Sequence, residues 1–220
     1  MIYITTKQTE REVTKMEKLV DLYIDVDDVI LNTSETFIDY YTKKNNIHKS
    51  FYDLKDWDFR SIDRNIDKQE FFDYVYNKEF LDNVQINEDF MRFYMKEANN
   101  YKWHFVTICS PANLFVKRYF ILNSLPTLMN VDFIGLGKEQ KKSDIDMTDG
   151  IQVDDRYDNL NTNATYKILL KNCIETDYNQ LLDIREDVYI TNTFDEVVES
   201  IKFLSQEIKE NFKKKELSYE

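Results

Sequence analysis

The sequence predicts an α/β fold with a mostly parallel sheet, and three observations predict it. Short apolar runs of strand character alternate with amphipathic helical patterns over most of the 220 residues, as βαβ crossovers require. Two of these runs end in acids, Asp25-Val-Asp27 and Asp154-Asp155. Ionised carboxylates are costly to desolvate, so they mark the rim of a sheet, where open α/β folds place ligands. One interval, from about residue 34 to 100, shows helical runs and no strong strand, and reads as an insertion.

Taken in order, residues 1–18 form an N-terminal extension. Residues 19–34 and 100–220 form the core, and 35–99 a helical cap. Strand signals fall at 22–25, 103–107, 131–136, 151–154, 166–170 and 188–191. In the insertion, helical runs cover 35–45, 68–76 and 88–98, with an aromatic stretch from Phe51 to Phe59. Placed directly after the first acidic loop, the insertion covers the site like a lid. Ser110-Pro111 is an N-cap with a first-turn proline; Leu114, Phe115, Arg118 and Ile121-Leu122 follow at helical spacing. Thr193-Phe-Asp-Glu196 is a capping-box signature, and Val197, Val198, Ile201 and Leu204 make one apolar stripe of the last helix.

Composition narrows the function classes. A formal net charge of −12 argues against general binding to nucleic acid or anionic membranes, which need basic surface. Two cysteines, Cys109 and Cys173, make no disulfide framework and fit a reducing compartment. No stretch has the length of a membrane span, and residues 1–18 lack the apolar core of a signal peptide. The expectation is a cytoplasmic protein. Gly135-Leu-Gly-Lys138 lacks the upstream glycine and the hydroxyl residue of a phosphate loop. His104 sits within a strand signal and reads as a packed core histidine, and Cys109 as a small packed residue.

The acids carry the chemistry. In a strand, residues two apart share a face, so Asp25 and Asp27 converge. If the strand ending at Asp154 neighbours the first, Asp25, Asp27, Asp28, Asp154 and Asp155 crowd one rim. Two like charges about 4 Å apart repel by roughly 4 kcal/mol at an effective dielectric near 20. Such a cluster needs protons or a divalent cation, and hard oxygen ligands with room for water and phosphate favour Mg²⁺. Thr107, ending its strand, and Ser110, at a helix N-terminus, can each hold a phosphate. Lys141 and Lys142 both lie upstream of the second acidic pair and can bring a cation to phosphoryl oxygens; Lys142 is the modest preference.

This set, in this order, resembles the four motifs of the haloacid dehalogenase (HAD) superfamily: Asp25-Val-Asp27, Thr107, Lys142 and Asp154-Asp155. The resemblance implies a HAD-like Rossmannoid sheet with the cap inserted after the first core strand. Tyr52-Asp-Leu-Lys-Asp-Trp57-Asp-Phe59, Ile108-Cys-Ser110-Pro111, Val153 to Leu160 and Asp177-Tyr-Asn179 look like the 5′(3′)-deoxyribonucleotidase branch. The position after the second aspartate is often glycine in that branch and is Asp28 here. The resemblance implies that Asp25 is a nucleophile forming an aspartyl-phosphate, and that Asp27 is the general acid and base. It also implies Mg²⁺ held by Asp25, the Asp27 carbonyl, Asp154 and Asp155, with Thr107 and Lys142 on the phosphoryl oxygens. Trp57, Phe59 and Tyr52 would stack on the base of a nucleoside monophosphate. A homodimer is implied by the resemblance alone. The rival expectations are a HAD phosphatase for another small phosphomonoester and a non-catalytic protein retaining the fold.

Overall fold

The computed structural model describes residues 18–55, 58–125, 131–171 and 185–217. The N-terminal extension (save Lys18), Trp57, Cys173 and the 177–179 segment therefore lie outside the described residues. The elements in chain order are β1 (Val20–Asp25), α1 (Thr33–Asn45), α2 (Lys68–Val75), α3 (Lys78–Asn83), α4 (Glu88–Glu97), β2 (Tyr101–Ile108), α5 (Pro111–Ser124), β3 (Val131–Leu136), β4 (Gly150–Asp154), β5 (Tyr166–Leu170), β6 (Val188–Thr191) and α6 (Phe194–Leu217). The six strands form one sheet in the order β3-β2-β1-β4-β5-β6, with every pair parallel. The chain builds outward from β1 through β2 and β3, then returns to place β4 on the other side of β1. The strand order thus reverses at β1, and the crevice beyond the carboxyl ends of β1 and β4 is where such sheets bind ligands.

The inner strands are buried on both faces, which is why they read as apolar runs. Leu22, Ile24, Trp103, Phe105, Ile151 and Val153 are fully enclosed. Two strands start two residues before the sequence signal, β1 at Val20 and β2 at Tyr101. Asp21 and Lys102 interrupt the apolar pattern there, yet they pair across the ladder, so tertiary pairing overrides local composition. Helix α3 carries one buried residue, Phe80, too few to produce a periodic signal.

Within the 35–99 interval, α1, α2 and α3 pack on one another around a ring cluster. Phe37 meets Phe59 and Phe71 at centroid distances of 5.1 Å each, and Tyr40 stacks on Tyr74 at 4.0 Å. Helix α4 instead lies against α6 and β2, with Phe90 edge-on to Trp103, Phe105 and Phe194. The last helix buries Val197, Ile201, Leu204 and Ile208; Val198 of the expected stripe is only half-buried, and Ile208 extends the stripe by one turn. Its start departs from an ideal capping box. Thr193 Oγ1 accepts from the Glu196 N–H at 3.3 Å, but the Glu196 carboxylate accepts from the Asn192 N–H.

Helix α5 corrects one expectation. Its buried residues are Asn113, Lys117 and Ile121, whereas Phe115 is 71 % exposed and Leu122 lies at the surface. The stripe read from apolar residues was out of phase, because the face turned inward on this helix carries a polar residue and a charged one.

Candidate active site

The first acidic loop is a tight turn, not a continued strand. β1 ends at Asp25, and the Leu31 and Ile30 N–H groups donate back to the Val26 carbonyl. Asp28 takes φ 57°, the left-handed region that favours glycine and that Asp tolerates by bonding locally. Its carboxylate accepts from the Ser34 N–H at 2.7 Å and from the Ser34 hydroxyl, tying the turn to the first residues of α1. Asp25 and Asp27 thus reach one cavity through the turn rather than through strand alternation. Burial pushes the Asp28 carboxyl up to about 7, despite the Ser34 bonds.

Asp25, Asp154 and Asp155 are buried and present oxygens within 4.8 Å of one another. They come from the ends of β1 and β4, paired in the sheet, so the adjacency inferred from sequence holds. The Lys142 ammonium, itself buried, lies 2.5 Å from Asp25 Oδ1 and 2.5 Å from Asp154 Oδ2. Lys141 is exposed and begins the same short turn, so of the two lysines it is Lys142 that reaches the acids. The far oxygen of Asp154 accepts from the Arg156 N–H and the Asn159 amide, each at 3.0 Å.

Charge balance follows from these contacts. Burial pushes Asp25 up to about 7; Lys142 opposes that rise, while Asp154 and Asp27 add to it. Burial also drives Asp155 well above the carboxylate range, helped by Asp25, Asp154 and Asp28. Burial alone would lower Lys142, but Asp154 and Asp25 outweigh it and keep the ammonium charged. Three close carboxyl groups meet one ammonium, and without a cation Asp25 and Asp155 hold protons more readily than ordinary carboxyls. That oxygen donor set fits a hard divalent cation such as Mg²⁺. Zinc is disfavoured, since no His or Cys joins the cluster among the described residues.

Asp27 has a different environment. Its carboxylate accepts from Thr33 Oγ1 at 2.9 Å and Thr107 Oγ1 at 3.2 Å, and meets the Lys117 ammonium at 2.5 Å. Lys117 also donates to Thr107 at 3.1 Å. Burial pushes Asp27 up, but Lys117 and these donors outweigh it and hold the carboxyl below the usual range. The two acids therefore differ in surroundings, Asp25 beside Lys142 and two further carboxyls and Asp27 beside Lys117 and two hydroxyls.

Lys117 was missed in the sequence. The available signal was a lysine at i+4 from Asn113 and i−4 from Ile121, on the inward face of a helix opening at Ser110-Pro111. Thr33 was missed as well, its hydroxyl being indistinguishable from any helix-start threonine.

The acids floor a cavity of about 620 Å³. Thr107, expected to hold phosphate, is buried and absent from the lining, meeting the floor only through Asp27, whereas Ser110 lies in the lining. Ser110 caps α5 through the Asn113 N–H at 3.3 Å and accepts from the Tyr76 hydroxyl at 2.7 Å, a bridge from cap to core. Phe59 lines the cavity, joined by Phe71, Phe72 and Val75, which the sequence did not single out. Tyr52 does not: it is 73 % exposed against Phe51 and absent from the lining, because its short turn faces solvent. Cys109 is half-buried in the wall, and burial raises its thiol, consistent with a packing role. His104 is buried within the sheet, away from the cavity lining.

No protein-family model and no curated protein matches the chain. Solved structures do. A haloacid dehalogenase-like family hydrolase from Streptococcus pneumoniae aligns with a TM-score of 0.57 at 14 % identity, over 83 % of this chain and 98 % of its own. A predicted phosphatase from Clostridium acetobutylicum aligns at 0.51 and 16 % identity, over 84 % and 99 %. At such identities the likeness is one of fold: this chain has the HAD-like Rossmannoid α/β fold with an acidic cluster at its switch point.

Proposed function

We propose that the protein is a Mg²⁺-dependent phosphomonoester hydrolase acting on nucleoside monophosphates, in particular deoxyribonucleotides, through an aspartyl-phosphate. The observation that carries this reading is the division of labour between Asp25 and Asp27. Asp25 belongs to a buried carboxylate trio with Lys142 between two of its members. Asp27, two residues on, is held by Thr33, Thr107 and Lys117. This difference in surroundings supports reading Asp25 as the nucleophile and Asp27 as the proton-transfer group.

Asp25, Asp154, Asp155 and the Asp27 carbonyl would hold Mg²⁺. When bound, the ion offsets the repulsion between an anionic nucleophile and an anionic phosphoryl group. An Asp25 oxygen bonds to phosphorus as the ester oxygen leaves, and Asp27 delivers a proton to that oxygen. Asp27 then takes a proton from water as water attacks the aspartyl-phosphate, releasing phosphate and restoring Asp25. Lys142 holds phosphoryl oxygens during both steps, Lys117 joins it at the Asp27 side, and Thr107 positions Asp27 and Lys117 through its hydroxyl. The cavity volume and the Phe59, Phe71 and Phe72 rings in the cap wall suit a nucleoside better than a bare phosphorylated acid. Among the described residues, no helix is long and apolar enough to cross a membrane.

The test is phosphate release from deoxy- and ribonucleoside monophosphates, with Mg²⁺ or EDTA, beside an Asp25→Asn control. The expected result is Mg²⁺-dependent turnover that falls roughly 10³-fold or more in the control. Turnover confined to non-nucleotide phosphates would overturn the nucleotide assignment. No release from any phosphomonoester, by protein with an intact melting transition, would overturn the hydrolase reading.

A further inference from the structure

The cavity has a second charged zone that hydrolysis of a simple monophosphate does not use. The chain is strongly acidic overall, yet the cavity lining carries three cations outside the acid floor, Lys68, Lys138 and Arg156, from segments that contribute no carboxylate to the lining apart from Asp155. The four acids that line the cavity, Asp25, Asp27, Asp28 and Asp155, all belong to the floor. The three cations come from three separate elements. Lys68 is the first residue of α2 in the cap, Lys138 follows β3, and Arg156 follows the Asp154-Asp155 pair at the end of β4. Lys138 is held over the Phe72 ring, its ammonium 5.5 Å from the centroid. The Arg156 backbone is anchored on Asp154.

A transferable phosphoryl group has its cations at the floor, in Lys142 and Lys117. Three further cations converging from cap and core exceed what one phosphate needs. They line the same cavity as the acids of the floor.

We propose that the substrate carries a second phosphate, bound at the cavity mouth by Lys68, Lys138 and Arg156. This deepens the hydrolase reading and rests on it for the placement of the first phosphate. Within the nucleotide class, the chemistry named is a nucleoside bisphosphate, with one phosphate at Asp25 and the other at the rim. Simple electrostatic steering is the competing account, since a basic rim draws in any phosphate. Steering raises the association rate of mono- and bisphosphates alike, whereas a second binding zone separates their equilibrium affinities.

The experiment is calorimetric titration of the full-length Asp25→Asn protein, in Mg²⁺, with thymidine 5′-monophosphate and thymidine 3′,5′-bisphosphate. The expected result is about tenfold or more tighter binding of the bisphosphate. In Lys138→Gln and in Arg156→Gln, the bisphosphate should lose several times more affinity than the monophosphate. Equal affinities, absence of binding by both ligands, or a preference that survives both substitutions would overturn the proposal. Phosphate release by the wild-type protein is read separately. Release with equal affinities removes the second phosphate and keeps the hydrolase. A bisphosphate preference without release keeps the two-anion site and removes the hydrolase.

Discussion

Two clusters of ionisable side chains lie in the same sheet, and they differ in kind. At the carboxyl ends of β1 and β4, Asp25, Asp154 and Asp155 gather around Lys142 with carboxyl groups in excess, over a cavity. Along β1, β2 and β3, Tyr23, His104 and Asp132 lie abreast on neighbouring strands. His104 Nε2 is 2.7 Å from Asp21 Oδ1, and its Nδ1 is 3.4 Å from Asp132 Oδ2. The imidazole stacks on Tyr23 at 4.3 Å, and the Tyr23 hydroxyl donates to the Asp146 carbonyl at 3.2 Å.

In this second cluster the carboxylates reach water, Asp132 most of all, and no residue of it lines the site cavity. A cluster of ionisable groups by itself therefore does not mark a site. What distinguishes the first cluster is that its acids outnumber its cations where water is excluded, beside a space a ligand can fill.

Three sets of variants sharpen or break this contrast. Lys142→Met should have the largest effect, because it leaves Asp25 and Asp154 buried without their ammonium. Loss of one partner of a buried pair costs about 3–5 kcal/mol, read as a fall in denaturant midpoint, and turnover should fall roughly 10²-fold or more. Added Mg²⁺ should restore part of the stability. Unchanged stability and turnover would mean that the floor does not act as one charged unit.

Lys117→Met should follow, lowering turnover roughly 10²-fold in steady-state assays, with a smaller stability loss than Lys142→Met. The reverse ranking would make Lys117 a packing residue and Lys142 dispensable to the chemistry.

The second cluster should respond in stability alone. His104→Gln should cost about 1–3 kcal/mol, the order expected when buried partners lose a hydrogen bond, while kcat/KM stays near the parent value. A fall in activity to match the lysine variants would erase the distinction between the two clusters. Tyr23→Phe tests the same cluster with pH and is the smallest effect. Burial, then Asp21, Asp146 and Asp132, push the Tyr23 hydroxyl up to about 12. A raised pKa means stability present below the unfolded value near 10 and lost as pH rises through about 12. Stability of the Phe variant should therefore decline less steeply between those limits in an alkaline melting series.

The fold class, the six strands and the acids were legible in the sequence because each is a local signal. An apolar run ended by aspartates is visible in a few residues, and so is a Ser-Pro helix start. Asp28 is a particular case: its backbone needs a left-handed turn, and the sequence showed only an acid where glycine is common. Lys117 and Thr33 were not legible as site residues. Neither stands near Asp27 in a way that pattern reveals, and their roles exist only because α5 and α1 fold back over the turn. Tyr52 failed for the converse reason, since its aromatic surroundings resembled a pocket wall while its backbone turned outward.

By itself, then, the sequence determined an α/β sheet with acids at its rim, since strand period, helix period and the cost of burying charge act over short stretches of chain. The tertiary structure decided the rest: which lysine meets Asp25, which holds Asp27, and which rings face the cavity. Those choices depend on distances between residues far apart in the chain, 117 positions for Lys142 and Asp25 and 90 for Lys117 and Asp27. Only the packed sheet and its helices fix such distances.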